Sequence, residues 1–280
     1  MTATPPAPPP AGPPPANEPV LSRREMSLSI SRLGIRKANT QPWQLFLLGV
    51  LAGFYIGFGS HLFLVAMQAG LGRIVAGAVF GVGLVLVVVA GAELFTGNII
   101  MVVGMLTRQF SAARMLRNWA AVYAGNMAGA FLLVLLVWWS GLLSHGGAPT
   151  AVGAYAAEVA RSKLALSFSE AFCRGILCNM LVLLAVIMSI LSKDVISKIA
   201  CCILPIMAFV ASGFEHSVAN MYLLPAGLTA QAAAFSAPAA IWMNLIPVTL
   251  GNIVGGLMIL MLHPNRIRQL LALTGRPGVK

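Results

Sequence analysis

Six apolar runs, each near or above the roughly 20 residues a helix needs to cross a bilayer, fix what this chain can become. They cover about residues 43–67, 74–106, 112–143, 168–191, 197–224 and 239–262. The chain is 59% hydrophobic and 9% charged, against roughly 45–50% and about 25% in a soluble domain. Backbone polar groups in hydrocarbon must be satisfied within their own segment, and a helix does this. An all-α, six-span membrane protein follows.

Two of the runs are interrupted at their centres by the same polar pattern. The second contains Glu93-Leu94-Phe95-Thr96-Gly97-Asn98, and the fifth contains Glu215-His216-Ser217-Val218-Ala219-Asn220. Carboxylates, hydroxyls, an imidazole and carboxamides are expensive at membrane depth, and persist where irregular backbone lines a cavity or is buried in protein. Each of these runs is therefore predicted to be a helix, a break and a shorter second helix. Together they point to a passage for a polar solute.

The polar pattern belongs to a longer repeat. Glu93/Glu215 and Asn98/Asn220 lie 122 residues apart, and Asn118/Asn244 with Gly125-Asn126/Gly251-Asn252 lie 126 apart. A duplicated three-span unit explains this register. Because three is odd, the second copy must run through the membrane inverted, giving an aquaporin-like three-plus-three arrangement. Glycines 53, 57, 125, 129, 251 and 255 supply small faces that let helices approach closely in lipid.

Charge sets the expected orientation. Fourteen basic residues fall on one side of six spans: Arg23, Arg24, Arg32, Arg36, Lys37, Arg108, Arg114, Arg117, Lys193, Lys198, Arg266, Arg268, Arg276 and Lys280. The other side has Arg73, Arg161, Lys163 and Arg174, the last expected to pair with Glu170 at i, i+4. The positive-inside rule places both termini in the cytoplasm of a cell whose inner (plasma) membrane holds the protein. The net charge of +11 is thus topological, and nucleic acid is not an expected partner. Residues 1–24 read as a disordered Pro/Ala-rich tail without a cleaved secretory signal, 25–265 as the six-span domain and 266–280 as a basic tail. Cys173, Cys178, Cys201 and Cys202 read as small buried hydrophobes, and no metal or cofactor site is expected.

The tracts Gly91-Ala92-Glu93-Leu94-Phe95-Thr96-Gly97-Asn98 and Gly213-Phe214-Glu215-His216-Ser217-Val218-Ala219-Asn220-Met221 resemble the two signatures of the formate/nitrite transporter family. Cys178-Asn179-Met180-Leu181-Val182 resembles its fourth-span tract, and the resemblance extends over about residues 25–265. It implies a homopentamer whose protomers each carry a pore for a small monovalent anion. It also implies that Thr96 and His216 face each other centrally. Phe80, Leu84, Leu94 and Phe95 would build a cytoplasmic constriction, and Phe209, with Val182 and Asn179 nearby, a periplasmic one. Lys163 would stand at the outer entrance and draw anions in.

The residues suggest roles for the rest. Asn98 and Asn220 stand where the second half-helices begin and are expected to bond exposed backbone. Glu93 and Glu215 are expected to point away from the pore and accept backbone N–H bonds. The expected function is pH-dependent or proton-coupled passage of a weak-acid anion, formate first, with nitrite or hydrosulfide as alternatives and His216 as the titratable donor. An enzyme is not expected, since a zinc hydrolase would need a pattern such as H-E-x-x-H. An aquaporin-type neutral-solute channel would carry Asn-Pro-Ala pairs, which are missing.

Overall fold

The computed structural model describes residues 20–21, 23–230 and 238–262; the N-terminal stretch before residue 20 and the basic tail expected at 266–280 lie outside them. The order is α1 (Arg23–Asn39), α2 (Pro42–Gln68), α3 (Gly72–Phe80), α4 (Val82–Val85) and a π-helical turn (Leu86–Gly91). Then come α5 (Phe95–Asn98), α6 (Met101–Leu106), α7 (Ala112–Trp139), α8 (Ala151–Leu164) and α9 (Phe168–Leu191). The last are α10 (Val195–Ala211), α11 (Ser217–Ala230) and α12 (Pro238–Leu262). A two-stranded hairpin, Ser144–His145 with Ala148–Pro149, precedes α8.

Five helical stretches are long and apolar enough to cross a membrane: Pro42–Gln68, Gly72–Gly91, Ala112–Trp139, Phe168–Leu191 and Ala239–Leu262. The fifth apolar run yields only the 17-residue Val195–Ala211 before it breaks. Both expected breaks are present. Gly91 (φ 83°) and Gly213 (φ 74°) turn the chain left-handed, a conformation that suits glycine. Ala92 is then extended (φ −141°, ψ 172°), and helix resumes at Phe95 and at Ser217.

Local chemistry sets the helix starts. Pro42 opens α2, and the side chains of Ser111, Thr150 and Asp194 cap α7, α8 and α10. Ser167 and Glu170 form a capping box on α9, in which Glu170 Oε2 accepts from Ser167 N–H (2.9 Å) and Oγ (2.7 Å). That corrects the expected Glu170–Arg174 ion pair, because the carboxylate is taken by the cap. Lys37 pairs with Glu93 and Lys163 with Glu215. Helix α8 escapes a search for apolar runs because Glu158, Arg161 and Lys163 interrupt it.

Helix α2 packs on α7 and α9 packs on α12, pairs related by 126 residues. Glycines make the approach possible. A Cβ on Gly129 would lie 2.0 Å from the Val50 carbonyl oxygen, and one on Gly255 would lie 2.1 Å from that of Ile176. We expect Gly129→Val and Gly255→Val each to destabilise the protein by about 1–3 kcal/mol through overpacking, read as a lowered melting temperature in detergent. An unchanged melting temperature for both would mean that these helix pairs do not depend on contact between backbones.

Candidate functional site

At each break a neighbouring asparagine takes over the backbone bonds that the helix gives up. Asn126 Oδ1 accepts from the Phe95 N–H (2.9 Å), while its Nδ2 donates to the carbonyls of Gly49 and Glu93 (2.9 Å each). Asn252 does the same in the second half: Oδ1 accepts from the Ser217 N–H (2.9 Å), and Nδ2 donates to Gly175 O (2.8 Å) and Glu215 O (2.9 Å). The Glu93 N–H bonds Leu48 O, as the Glu215 N–H bonds Arg174 O, both at 3.2 Å.

A second network surrounds each carboxylate. Lys37 Nζ donates to Glu93 Oε2 (2.6 Å) and Asn98 Oδ1 (2.8 Å), and Asn98 Nδ2 donates to Glu93 Oε2 (2.7 Å) and Asn118 Oδ1 (2.8 Å). Its counterpart joins Lys163 to Glu215 Oε1 (2.7 Å), and Asn220 Nδ2 to Glu215 Oε2 (2.7 Å) and Asn244 Oδ1 (2.8 Å). These bonds correct two expectations. Glu93 and Glu215 accept from lysine and asparagine side chains instead of backbone N–H groups. Asn98 and Asn220 hold the carboxylates, and the backbone-capping role falls to Asn126 and Asn252. Burial lowers the Lys37 ammonium's affinity for its proton, and the Glu93 carboxylate pulls it back up.

Two cavities flank the breaks. The first, about 420 Å³, is lined by Lys37, Leu48, Leu84, Glu93 and Leu94 among others. The second, about 510 Å³, is lined by Lys163, Arg174, Val210, Phe214 and Glu215 among others. Lys163 therefore stands on a cavity wall, on α8 and ion-paired, and not on a loop.

Thr96 and His216 meet between the cavities, with Thr96 Oγ1 3.0 Å from His216 Nε2 and both residues buried. His216 Nδ1 accepts from the Ala219 N–H (3.1 Å). The neutral ring must then carry its hydrogen on Nε2 and donate it to Thr96. Phe209 stacks on His216 (centroids 5.9 Å apart) and meets Phe80 edge to face at 5.7 Å. Phe80 thus belongs beside Phe209, which corrects its expected place in the opposite constriction with Leu84 and Leu94. Phe95 is held by the rings of Trp119 (5.9 Å) and Tyr123 (5.0 Å). Val182 is buried in the surrounding core. Asn179 Nδ2 donates to Asn252 O (2.7 Å) and more weakly to Thr96 O (3.4 Å), leaving Oδ1 without a partner.

Several members of the site escaped the sequence analysis. Lys37 was counted only as a topology charge, although it lies 126 residues before Lys163, in register with the repeat. His61, given no role, has its Nδ1 2.9 Å from the buried Tyr222 hydroxyl. Tyr123 and Thr249, also 126 apart, bond each other at 3.0 Å.

Comparison with known proteins agrees with this geometry. The sequence pattern of the family described as Formate/nitrite transporter matches residues 24–264. The chain is 38% identical over 246 residues to the formate channel FocA of Escherichia coli K12, covering 80% of this chain and 86% of that one. Its fold matches a solved structure titled FNT family ion channel with a TM-score of 0.75 at 29% identity, over 91% of this chain and all of that one. It also matches one titled Pentameric formate channel with formate bound, with a TM-score of 0.68 at 32% identity, over 83% and 98%.

The asparagine caps generate a test of the scaffold. Asn126→Ala and Asn252→Ala each unpair the N–H at which helix resumes and the glutamate carbonyl in the break, while the Gly49 and Gly175 carbonyls keep their helical bonds. At about 1–3 kcal/mol per stranded group, each variant should melt well below wild type. Melting curves that overlay wild type would show that the breaks are held by something else.

Proposed function

The chain belongs to the formate/nitrite transporter family, a family of transporters and not enzymes, and from that premise we propose that it passes formate across the membrane as a small weak-acid anion accompanied by a proton. The observation that carries this reading is the Thr96–His216 hydrogen bond, set between two lysine-bearing cavities at the meeting of two broken helices. The relatives' names supply formate as the first substrate, and nitrite shares its planar two-oxygen shape. Residues 25–265 form the transporting domain in this reading.

The proposed architecture has six spans in two inverted halves. The matched hydrogen bonds at offsets of 122 and 126 support it. So does the contact between Tyr123 and Thr249, since equivalent residues that touch each other lie beside a pseudo-two-fold axis. By the positive-inside rule the Lys37 cavity faces the cytoplasm of the inner membrane, with both termini on that side. A homopentamer follows by analogy with the pentameric formate channel.

The conduction site is built as a neutral donor. Ala219 N–H occupies His216 Nδ1, so the ring donates from Nε2 to Thr96 and leaves the Thr96 hydroxyl hydrogen to turn toward the solute. An imidazolium would place an Nδ1 hydrogen against the Ala219 N–H, two donors face to face. The ring therefore orients Thr96, and the proton that neutralises formate arrives through cavity water. Lys37 and Lys163 offset the charges of Glu93 and Glu215 on the cavity walls, so that neither carboxylate repels the entering anion. Leu84, Leu94, Phe80 and Phe209 then meet a solute that has lost its charge, which removes most of the desolvation cost. Asn179, with its free Oδ1, offers an acceptor to the protonated acid.

Proteoliposomes should take up formate and nitrite far faster than protein-free vesicles and faster than glycerol. Formate uptake at or below the protein-free rate would sink the proposal. His216→Phe should lower formate flux roughly tenfold, the scale of one lost hydrogen bond between neutral groups, and leave the shape of its pH profile intact. A profile flattened by that substitution would make His216 the proton relay after all.

A further inference from the structure

The two cavities share a repeated lining and exchange charge at two wall positions: Arg36 of the first corresponds to Ser162 of the second, and at the other position Leu48 corresponds to Arg174. Leu48, Glu93 and Lys37 line the first; Arg174, Glu215 and Lys163, their equivalents at offsets of 126, 122 and 126, line the second. The backbone carbonyl of Leu48, like that of Arg174, accepts from the glutamate N–H of its half, 3.2 Å each time. Position and anchoring are therefore matched, yet one half presents an isobutyl group and the other a guanidinium.

Among the described residues that guanidinium makes no contact with a carboxylate within 4 Å, and the Glu170 carboxylate one turn earlier feels its charge only as a minor influence. Glu170 is consumed by the capping box at Ser167. Glu215 is held by Lys163 and Asn220. Arg73, at the start of α3, lines the same cavity and is likewise without an ion pair among the described residues. Two guanidinium groups thus face about 510 Å³ of open space beside a lysine whose charge is already engaged.

We propose that Arg174, assisted by Arg73, is a docking site for a planar two-oxygen monoanion in the Lys163 cavity, and that it makes capture from that side stronger than from the other. The inference rests on the transport reading for its substrate and adds a specificity element to it. A guanidinium fork matches two coplanar oxygens with parallel N–H bonds, a fit that an ammonium cannot give. Formate and nitrite present that shape, and hydrosulfide does not. Glu215, kept on Lys163, leaves the fork free for the solute.

The test combines binding and flux in membrane vesicles of known orientation. Phenylglyoxal, which modifies guanidinium groups, is applied from the Lys163 side and the modification at Arg174 is followed by peptide mass analysis. Formate and nitrite should each slow it, and hydrosulfide should not. Arg174→Leu, which copies the wall of the other cavity, should raise the half-saturating formate concentration for entry from that side about tenfold. Its maximal rate and its flux from the opposite side should stay within about twofold. Arg174→Lys should not restore formate capture, because an ammonium lacks the fork, and Arg174→Gln serves if the leucine variant does not fold. Absence of both protection and a shift in half-saturation overturns the inference, as does a shift equal in both directions or one abolished by raised salt. Protection without formate flux in the wild type would sink the transport reading and leave this site standing.

Discussion

Each break in this membrane protein stands because one carboxamide from a neighbouring helix replaces the bonds that the break removes. Interrupting a helix away from water strands N–H and carbonyl groups, each costly to leave unpaired. Asn126 satisfies one N–H and two carbonyls, tying α2, the extended turn and the half-helix α5 together in one residue. Asn252 does so for α9, the second turn and α11. A carboxamide suits the task because it offers a donor pair and an acceptor without a net charge. The glycine packing of α2 on α7 and of α9 on α12 brings each asparagine near enough to reach. The close helix packing is therefore a condition for the breaks, and the breaks are a condition for polar groups to converge between the two cavities.

Much of this was legible from the residues. Five of the six apolar runs contain a helix long and apolar enough to cross a membrane, the polar interruptions coincide with both breaks, and the register of Asn126 with Asn252 marked those positions as special. Direction was hidden. Asn98 and Asn220 stand beside the breaks in sequence, so they read as caps, but their side chains point back across the turn toward the glutamates. Only the packing of α7 and α12 decides which asparagine faces the exposed N–H. Glu170 illustrates the same limit on a smaller scale. Its spacing to Arg174 suits an ion pair and its spacing to Ser167 suits a capping box, and the bonds to the helix start prevail. Phe80 also has two geometrically sensible homes along its run, and the crossing of α3 with α10 sends it to Phe209.

Lys37 shows a different failure, one of reading and not of information. Its offset of 126 from Lys163 matches the offset that identified the asparagines. A basic residue near a predicted membrane edge is explained so readily by topology that its place in the repeat passes unnoticed. In the structure it closes a network of the same pattern as that of Lys163, with one further bond, because it also reaches Asn98 Oδ1. The corresponding Asn220 Oδ1 has no partner.

That missing bond belongs to a wider division of labour. The scaffold bonds recur at matched positions, while the chemistry laid on them does not. His216 occupies the position of Leu94, Ser217 that of Phe95, Asn179 that of Gly53 and Arg174 that of Leu48, while Thr96 stands opposite Val218 in the register. Among the described residues, the three buried side-chain atoms left without a bond, Asn179 Oδ1, Ser217 Oγ and Asn220 Oδ1, all lie in the second half. Buried polar atoms that the scaffold does not use are the ones free to meet a solute. A path assembled from two identical halves would offer a solute the same surface from either end. Here the first half supplies the Thr96 hydroxyl, the second supplies the His216 imidazole and the Asn179 carboxamide, and the cavity guanidinium groups stand at different wall positions in the two halves. The matched register places the breaks and the cavities at corresponding positions, and the unmatched residues are where the two halves differ in chemistry.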